Sequence, residues 1–569
     1  MSLRGRIWAL LDVALRVPPL FVMDALLAPT DGSEHRSSAS WERGGPLLWG
    51  AIHLQALLLA LAVSLLQTKQ LVQAYLWLAC AGAVLWSYAW NEAFARYATS
   101  LRGTSLIREL LRLDRGALQH TGANYAVQLS LAAGLACAQR LGTRGATALG
   151  LCLLAPTLAT ICSTPWAASP LAAAVAALAI LAAAAVIRIA PAARRAFSWA
   201  TAVVRHAGIP ALLEHHWGRL HAPQVLRLFW TLRLMQCAVQ LGGLSAFLSD
   251  PTDWASQLLA RGCDAPIALL GMAAMVALAG RAAGALAHSA AGLEGPPRRG
   301  LGTLAAVLFL VLALQTGLPG LEPQGRLSRL YRNTCLLVTA LLDALHTRLA
   351  PTLIALAAAG GAPAARHVRA LALAIALAAA PCILVGTLWR NHSISTWLLA
   401  VTAFGAELVI KVAVSLTLYL LFWTDARRPD ALWERLDDYV YWVRATGSIA
   451  EFVCGVFLFL NGAWIFLFES RGTVRAFMMC FHAYFNIWAQ GRAGWKACLR
   501  RRAAQRRLHA LPEATSQQLR TLDDVCAICY QELRSARVTR CNHFFHGVCL
   551  RKWLYLQDLC PLCHASLQP

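Results

Sequence analysis

The sequence predicts an all-α polytopic membrane bundle of about 10–14 transmembrane helices, followed by a small cytosolic domain folded around metal. Of 569 residues, 58% are hydrophobic and only 14% are charged, with a mean hydropathy of +0.53, a surplus too large for a water-facing surface. Apolar stretches of the roughly 20 residues needed to cross a hydrocarbon core of about 30 Å recur from end to end. The carboxyl-terminal tail differs: it is too short to bury much core and concentrates cysteine and histidine, so metal is its expected staple.

The clearest spans are 46–66, 71–90, 145–163, 167–187, 301–318, 369–388, 397–423 and 448–468. Charge or short length weakens 7–28, 123–138, 225–249, 265–286, 334–357 and 474–491. The alanine run from Leu171 to Ala185 reads as a packing surface, because small side chains let helices approach closely in lipid. Near the start, Asp12, Arg16 and Asp24 interrupt the apolar stretch and no small-residue cleavage site follows, which argues against a removable signal peptide.

Net charge is +23 and the pI about 9.9. Basic patches interleaved with aromatics, the usual cue for nucleic acid, are absent, and the arginines cluster between apolar runs instead. The strongest block is Arg492, Lys496, Arg500, Arg501, Arg502, Arg506 and Arg507, which by the positive-inside rule faces the cytosol and carries everything after it there. The loop with Arg427, Arg428, Arg435 and Arg444 shares that side if 474–491 crosses, placing the sequon Asn391-His392-Ser393 in the lumen; an interfacial helix at 474–491 would reverse both loops. These features divide the chain into a transmembrane domain (1–491), a basic cytosolic linker helix (492–522) and a terminal domain (523–569). The basic linker could also attract anionic headgroups.

Of 17 cysteines, eleven scatter singly from Cys80 to Cys498 as small hydrophobes and six crowd between Cys526 and Cys563. The tail reads Cys526, Cys529, Cys541, His543, His546, Cys549, Cys560, Cys563. Two thiolates separated by two residues can turn on a tight knuckle into one zinc tetrahedron, which happens at Cys526/Cys529 and again at Cys560/Cys563. Mixed pairs Cys541/His543 and His546/Cys549 complete two four-ligand sites with no open position, hence structural ones. Spacing alone leaves tandem and interleaved pairings open.

With Ile528 inside the first knuckle, Trp553 four residues after Cys549 and Pro561 inside the last, the segment resembles the RING-H2 family. That resemblance implies a cross-braced fold holding two zinc ions, one on Cys526, Cys529, His546 and Cys549 and the other on Cys541, His543, Cys560 and Cys563. It also implies that Ile528, Trp553, Pro561 and Leu562 bind a ubiquitin-conjugating enzyme charged with ubiquitin, although Trp553 can equally be a core anchor. No catalytic nucleophile is required, since the metal-bound thiolates carry no ubiquitin. Many RING domains place arginine after the final ligand, where His564 stands here.

Upstream strings resemble the translocation-in-renal-carcinoma ubiquitin ligases, multispanning proteins of the endoplasmic reticulum: Trp8 to Pro18, Ala313 to Gly320, Asp437 to Ser448, Arg475 to Asn486 and Asp523 to Tyr530. The family implies ubiquitination of membrane or misfolded clients for proteasomal degradation, a sterol-sensing-like membrane region and a link to sterol homeostasis, with sterol binding and self-association left open. Inside the membrane, Glu407 and Lys411 lie four apart and can pair. Asp343, His346, Glu451 and Arg281 also stand out, as functional contacts or as packing glue. A transporter with a regulatory zinc tail, or a catalytically silent scaffold, are the alternatives; no repeated pair of glycine- or proline-broken spans supports the former.

Overall fold

A computed structural model describes residues 3–28, 45–101, 106–162, 170–292, 300–359, 363–427, 436–469, 472–522, 524–554, 557 and 559–567. Arg428, Arg435 and Asp523, named above, lie outside the described residues. The chain forms two compact units, residues 1–233 and 234–569. In chain order the helices are α1 (Leu3–Leu15), α2 (Val17–Leu27), α3 (Gly45–Leu65), α4 (Thr68–Ser100), α5 (Leu106–Leu111), α6 (Arg115–Ala138), α7 (Thr143–Ile161), α8 (Pro170–Arg219), α9 (Ala222–Gln240), α10 (Gly243–Ser249), α11 (Pro251–Arg261), α12 (Pro266–Ala290) and α13 (Gly300–Gln315). They continue with α14 (Pro323–Ala358), α15 (Ala364–Asn391), α16 (Thr396–Asp425), α17 (Leu436–Trp464), α18 (Thr473–His482), α19 (Gln490–His509) and α20 (Ser516–Leu522). The tail adds strands β1 (Arg537–Val538) and β2 (Phe544–Phe545) and helix α21 (Gly547–Leu554).

Among the described residues, eight helices are long and apolar enough to cross a membrane: α4, α7, Pro170–Pro191 of α8, α12, α14, α15, α16, and α17 with its π-helical extension to Glu469. Helix α3 (Gly45–Leu65) covers nearly all of the expected 46–66, whereas the apolar helix Gly300–Gln315 is shorter than the expected 301–318. Large side chains such as Ile375, Ile383 and Leu460 stand exposed along these helices, the outward apolar surface that lipid asks for.

The weak stretches resolve differently. Residues 7–28 form two helices rather than one, broken at Arg16, whose guanidinium pairs with Asp12 at 2.8 Å while Thr68 donates to the same carboxylate. The stretch 225–249 is likewise not one helix. Gly242 and Gly243 take left-handed backbone (φ 90° and 58°), which ends α9 and starts α10. Residues 266–286 and 334–357 lie within full-length apolar helices, α12 and α14, with Ala265 capping the first.

Lipid supplies no hydrophobic force between helices, so close approach and hydrogen bonds hold them. In the first unit, α4, α6, α7 and α8 share a core of Cys80, Val84, Leu135, Leu149, Leu153, Ala174, Ala177 and Leu181, so part of the alanine run faces inward. A buried polar network stitches α4, α6 and α7: Asn124 donates to Asn91 (3.1 Å) and Thr157 (2.8 Å), Thr157 donates to Asn91, and Ser87 and Gln128 bond to each other. In the second unit α12 and α13 touch through Gly280 and Gly302; a Cβ on Gly302 would meet the Ala277 carbonyl oxygen and the Arg281 Cγ, each at 2.5 Å. None of the 17 cysteines forms a disulfide.

Gly302→Val therefore forces α12 and α13 apart and should lower unfolding stability in detergent by about 2 kcal/mol or more. Gly134→Ala, with nothing within 4 Å of the added carbon, should leave the thermal midpoint unchanged or slightly raised.

Candidate metal centre

The tail doubles back twice in the same manner. After Cys529, the Tyr530 amide donates to the Cys526 carbonyl (2.7 Å) and the Cys526 amide to Gln531 (2.9 Å). After Cys563, the His564 amide donates to Cys560 (3.0 Å) and the Cys560 amide to Ala565 (2.8 Å). Tyr530 and His564 each adopt left-handed backbone, φ 57° and 55°. For a non-glycine residue that costs roughly 1–2 kcal/mol, the condition for turning two thiols toward one point. The antiparallel pair β1–β2, with Arg537 opposite Phe545, stands between the knuckles and buries Phe545 completely.

The structure brings the eight donors into two groups, Cys526, Cys529, His546 and Cys549 in one and Cys541, His543, Cys560 and Cys563 in the other. Within each, all ligand atoms lie within 4.8 Å of one another, so the pairs interleave and do not sit in tandem. Cys529 Sγ is 3.2 Å from His546 Nδ1; His543 Nδ1 is 3.3 Å from Cys541 Sγ and 3.6 Å from Cys560 Sγ. A tetrahedron with Zn–S near 2.3 Å and Zn–N near 2.0 Å has sulfur-to-nitrogen edges of about 3.5 Å. The donors fit two zinc ions.

Neighbouring groups prepare them. The Glu532 carbonyl lies 3.0 Å from His546 Nε2, so that nitrogen carries the proton and Nδ1 is left for metal. Burial pushes the Cys541 thiol up, but hydrogen bonds from Thr539 and His543 outweigh it and hold the thiol at about 6, so it is a thiolate at neutral pH. Cys549 goes the other way: burial, with the negative charge of Cys526 and Cys529 beside it, pushes its thiol up to about 12. Thiolates crowded this closely need a dication among them.

The four residues proposed for partner binding differ in setting, and Ile528 packs against the core of the domain. Ile528, Trp553 and Pro561 are half-buried and Leu562 is 52% exposed. Trp553 donates its indole N–H to the Leu559 carbonyl (2.7 Å) at the surface, which fixes the ring while leaving part of its face open. The basic helix α19 was not legible as part of this domain. Its Ala504 and Leu508, with Leu511 beyond it, join Cys526, Phe545, Cys549 and Leu550 in one core, and Arg537 donates to the Leu511 carbonyl at 2.8 Å. The signal was its apolar spacing, hidden among arginines.

In the membrane region Glu407 and Lys411 pair at 2.8 Å, and Lys411 also reaches Asp343 on α14 at 2.9 Å. One turn further along each helix, His346 and Ser415 bond at 3.0 Å. The ammonium thus joins α14 to α16. Asp343 and His346 were singled out in the sequence, but only the packing shows which helix they face.

Residues 8–495 match the TRC8 N-terminal domain family and residues 525–563 the C3HC4-type zinc finger, or RING finger, family. The chain is 50% identical over 376 residues to the protein TRC8 homolog of Drosophila melanogaster, covering 65% of this chain and 46% of that protein. It is 45% identical over 380 residues to the E3 ubiquitin-protein ligase RNF139 of Homo sapiens (64% of this chain, 57% of that one), and 37% identical over 588 residues to the Mus musculus protein of that name (99% and 86%). The chain thus spans about half the length of the fly and human relatives. No solved structure matches it.

Purified protein should hold two zinc ions per chain by elemental analysis. Protons compete with metal for thiolate and imidazole, so retention should be full at about pH 7–8 and be lost as the solution is made progressively acidic. In the bundle, Lys411→Met leaves Asp343 and Glu407 without their cation and should cost on the order of 3 kcal/mol in detergent unfolding. Adding Asp343→Asn and Glu407→Gln should recover most of that loss.

Proposed function

We propose, because this chain belongs to the TRC8 N-terminal domain family, that it is a membrane-embedded RING-type E3 ubiquitin-protein ligase of the endoplasmic reticulum. The carrying observation is the pair of closed four-donor groups that fix an open apolar face on a chain otherwise built of apolar helices. On this reading residues 1–491 select membrane or misfolded clients, 492–522 form the basic cytosolic link and 523–569 the cytosolic RING.

Zinc bound at the two donor groups supplies rigidity and no chemistry on the substrate. Ile528, Trp553, Pro561 and Leu562 receive the ubiquitin-conjugating enzyme. The reaction itself occurs between partners: a neutral client lysine amine attacks the thioester carbonyl, an amide bond to ubiquitin forms as the C–S bond breaks, the conjugating enzyme's cysteine leaves as thiolate, and the amine proton passes to solvent. The ligase accelerates this by holding the two reactants together. His564, in place of the arginine that many RING domains carry, implies either weaker intrinsic activity or a different clamp on ubiquitin. Degradation of clients by the proteasome, and a link to sterol homeostasis, follow from the family reading.

Cys541→Ala with His543→Ala should abolish ubiquitin transfer in a reconstituted assay; unchanged transfer would sink the mechanism. Trp553→Ala should weaken conjugating-enzyme binding about tenfold or more, the range of an interface hot spot, with two zinc ions retained. Loss of zinc in that variant would assign Trp553 to the core instead.

A further inference from the structure

The terminal domain is fastened to the membrane bundle at two places. The first is helical: α18 and α19 run antiparallel to α17, with Met479 beside Gly462, His482 Nε2 at the Gly455 carbonyl (3.0 Å), Gly491 against Phe452, and Arg501 paired with Asp438 and stacked on Tyr441 at 3.7 Å. The same α19 then enters the RING core through Ala504 and Leu508 without a break. The second is electrostatic. Arg551 on α21 forks over two carboxylates in the first turn of α17, Nη2 to Asp437 at 3.0 Å and Nη1 to Asp438 at 2.9 Å, with Lys552 3.8 Å from Asp437. The Arg551 side chain is 8% exposed.

Acidic residues in a first helical turn complement the helix dipole, but that role needs no partner. Here one planar guanidinium spans both carboxylates, a geometry that lysine cannot supply and that fixes orientation as well as position. Arg501 and Arg551 share Asp438, so the clamp adjoins the helical attachment, and Asp437 supplies the further point that limits rotation about it. The direction they impose follows from helix geometry: at about 100° per residue, Arg551 and Trp553 point about 200° apart on α21. The clamp therefore takes the back of the helix and leaves the side of Trp553, with Leu562 beyond it, open.

Resting on the ligase reading above, we propose that Arg551, Asp437 and Asp438 are positioning residues: they hold the RING against the end of α17 with its partner face outward, so that ubiquitin is delivered to lysines in a narrow band beside the membrane. Selection by reach then adds to selection by the bundle.

The test uses the full chain in lipid nanodiscs with a charged conjugating enzyme and a series of membrane-anchored substrates. Each carries one lysine on a proline-rich spacer of increasing length, at about 3.1 Å per residue. The wild type should show a sharp optimum in spacer length. Asp437→Lys with Asp438→Lys should flatten that optimum and raise amide exchange in α21 and the start of α17 about tenfold, while discharge of ubiquitin to free lysine stays within about twofold. Adding Arg551→Asp and Arg501→Asp should restore the optimum by reversing both pairs, since Asp438 is held by Arg501 as well as by Arg551. An unchanged spacer profile and unchanged exchange in the double variant would overturn the proposal. A wild type that discharges no ubiquitin would overturn the ligase reading and the positioning role with it, whereas exchange would still report whether the clamp exists.

Discussion

Charge taken out of water must be neutralised where it is held, and much of this structure follows from that constraint. Lysine 411 survives among apolar helices because carboxylates from two directions meet it. Arg16 and Arg233 lie buried against Asp12 and Asp24. In the tail the same requirement takes inorganic form: six thiols and two imidazoles gathered into two tight groups call for metal. The ion pairs and the metal groups differ in chemistry and share a cause.

Neutralisation also sets geometry. An apolar contact tolerates sliding, whereas a guanidinium forked over two carboxylates, or four donors around one ion, accepts one arrangement. Hence the parts of this chain that need definite orientation, the knuckles and the seat of α21, are polar at their centre. The parts that need only cohesion are filled with alanine, leucine and glycine. The polar network of Asn91, Asn124 and Thr157 lies between these cases, giving register to helices that lipid alone would not order.

The terminal domain illustrates how a small fold borrows stability. Its own segment supplies few large apolar side chains, with Phe545, Leu550 and Leu554 at the centre. Metal replaces part of the missing core, and α19 replaces another part by lending Ala504 and Leu508. The helix that leaves the membrane is therefore a structural member of the domain it was read as merely connecting.

What the sequence determined by itself was whatever depends on local spacing and composition: apolar runs of spanning length, the knuckle pairs at Cys526/Cys529 and Cys560/Cys563, and the four-residue step from Glu407 to Lys411. These are written in adjacent residues, and the backbone period converts them directly into geometry. The tertiary structure decided what joins distant positions: the interleaved grouping of donors, Asp343 as the second carboxylate on Lys411, and the meeting of Arg551 with Asp437 and Asp438. An aspartate in a first helical turn looks the same whether it caps a dipole or grips a guanidinium more than a hundred residues away, because the partner is chosen by packing and leaves no mark on its neighbours in the chain.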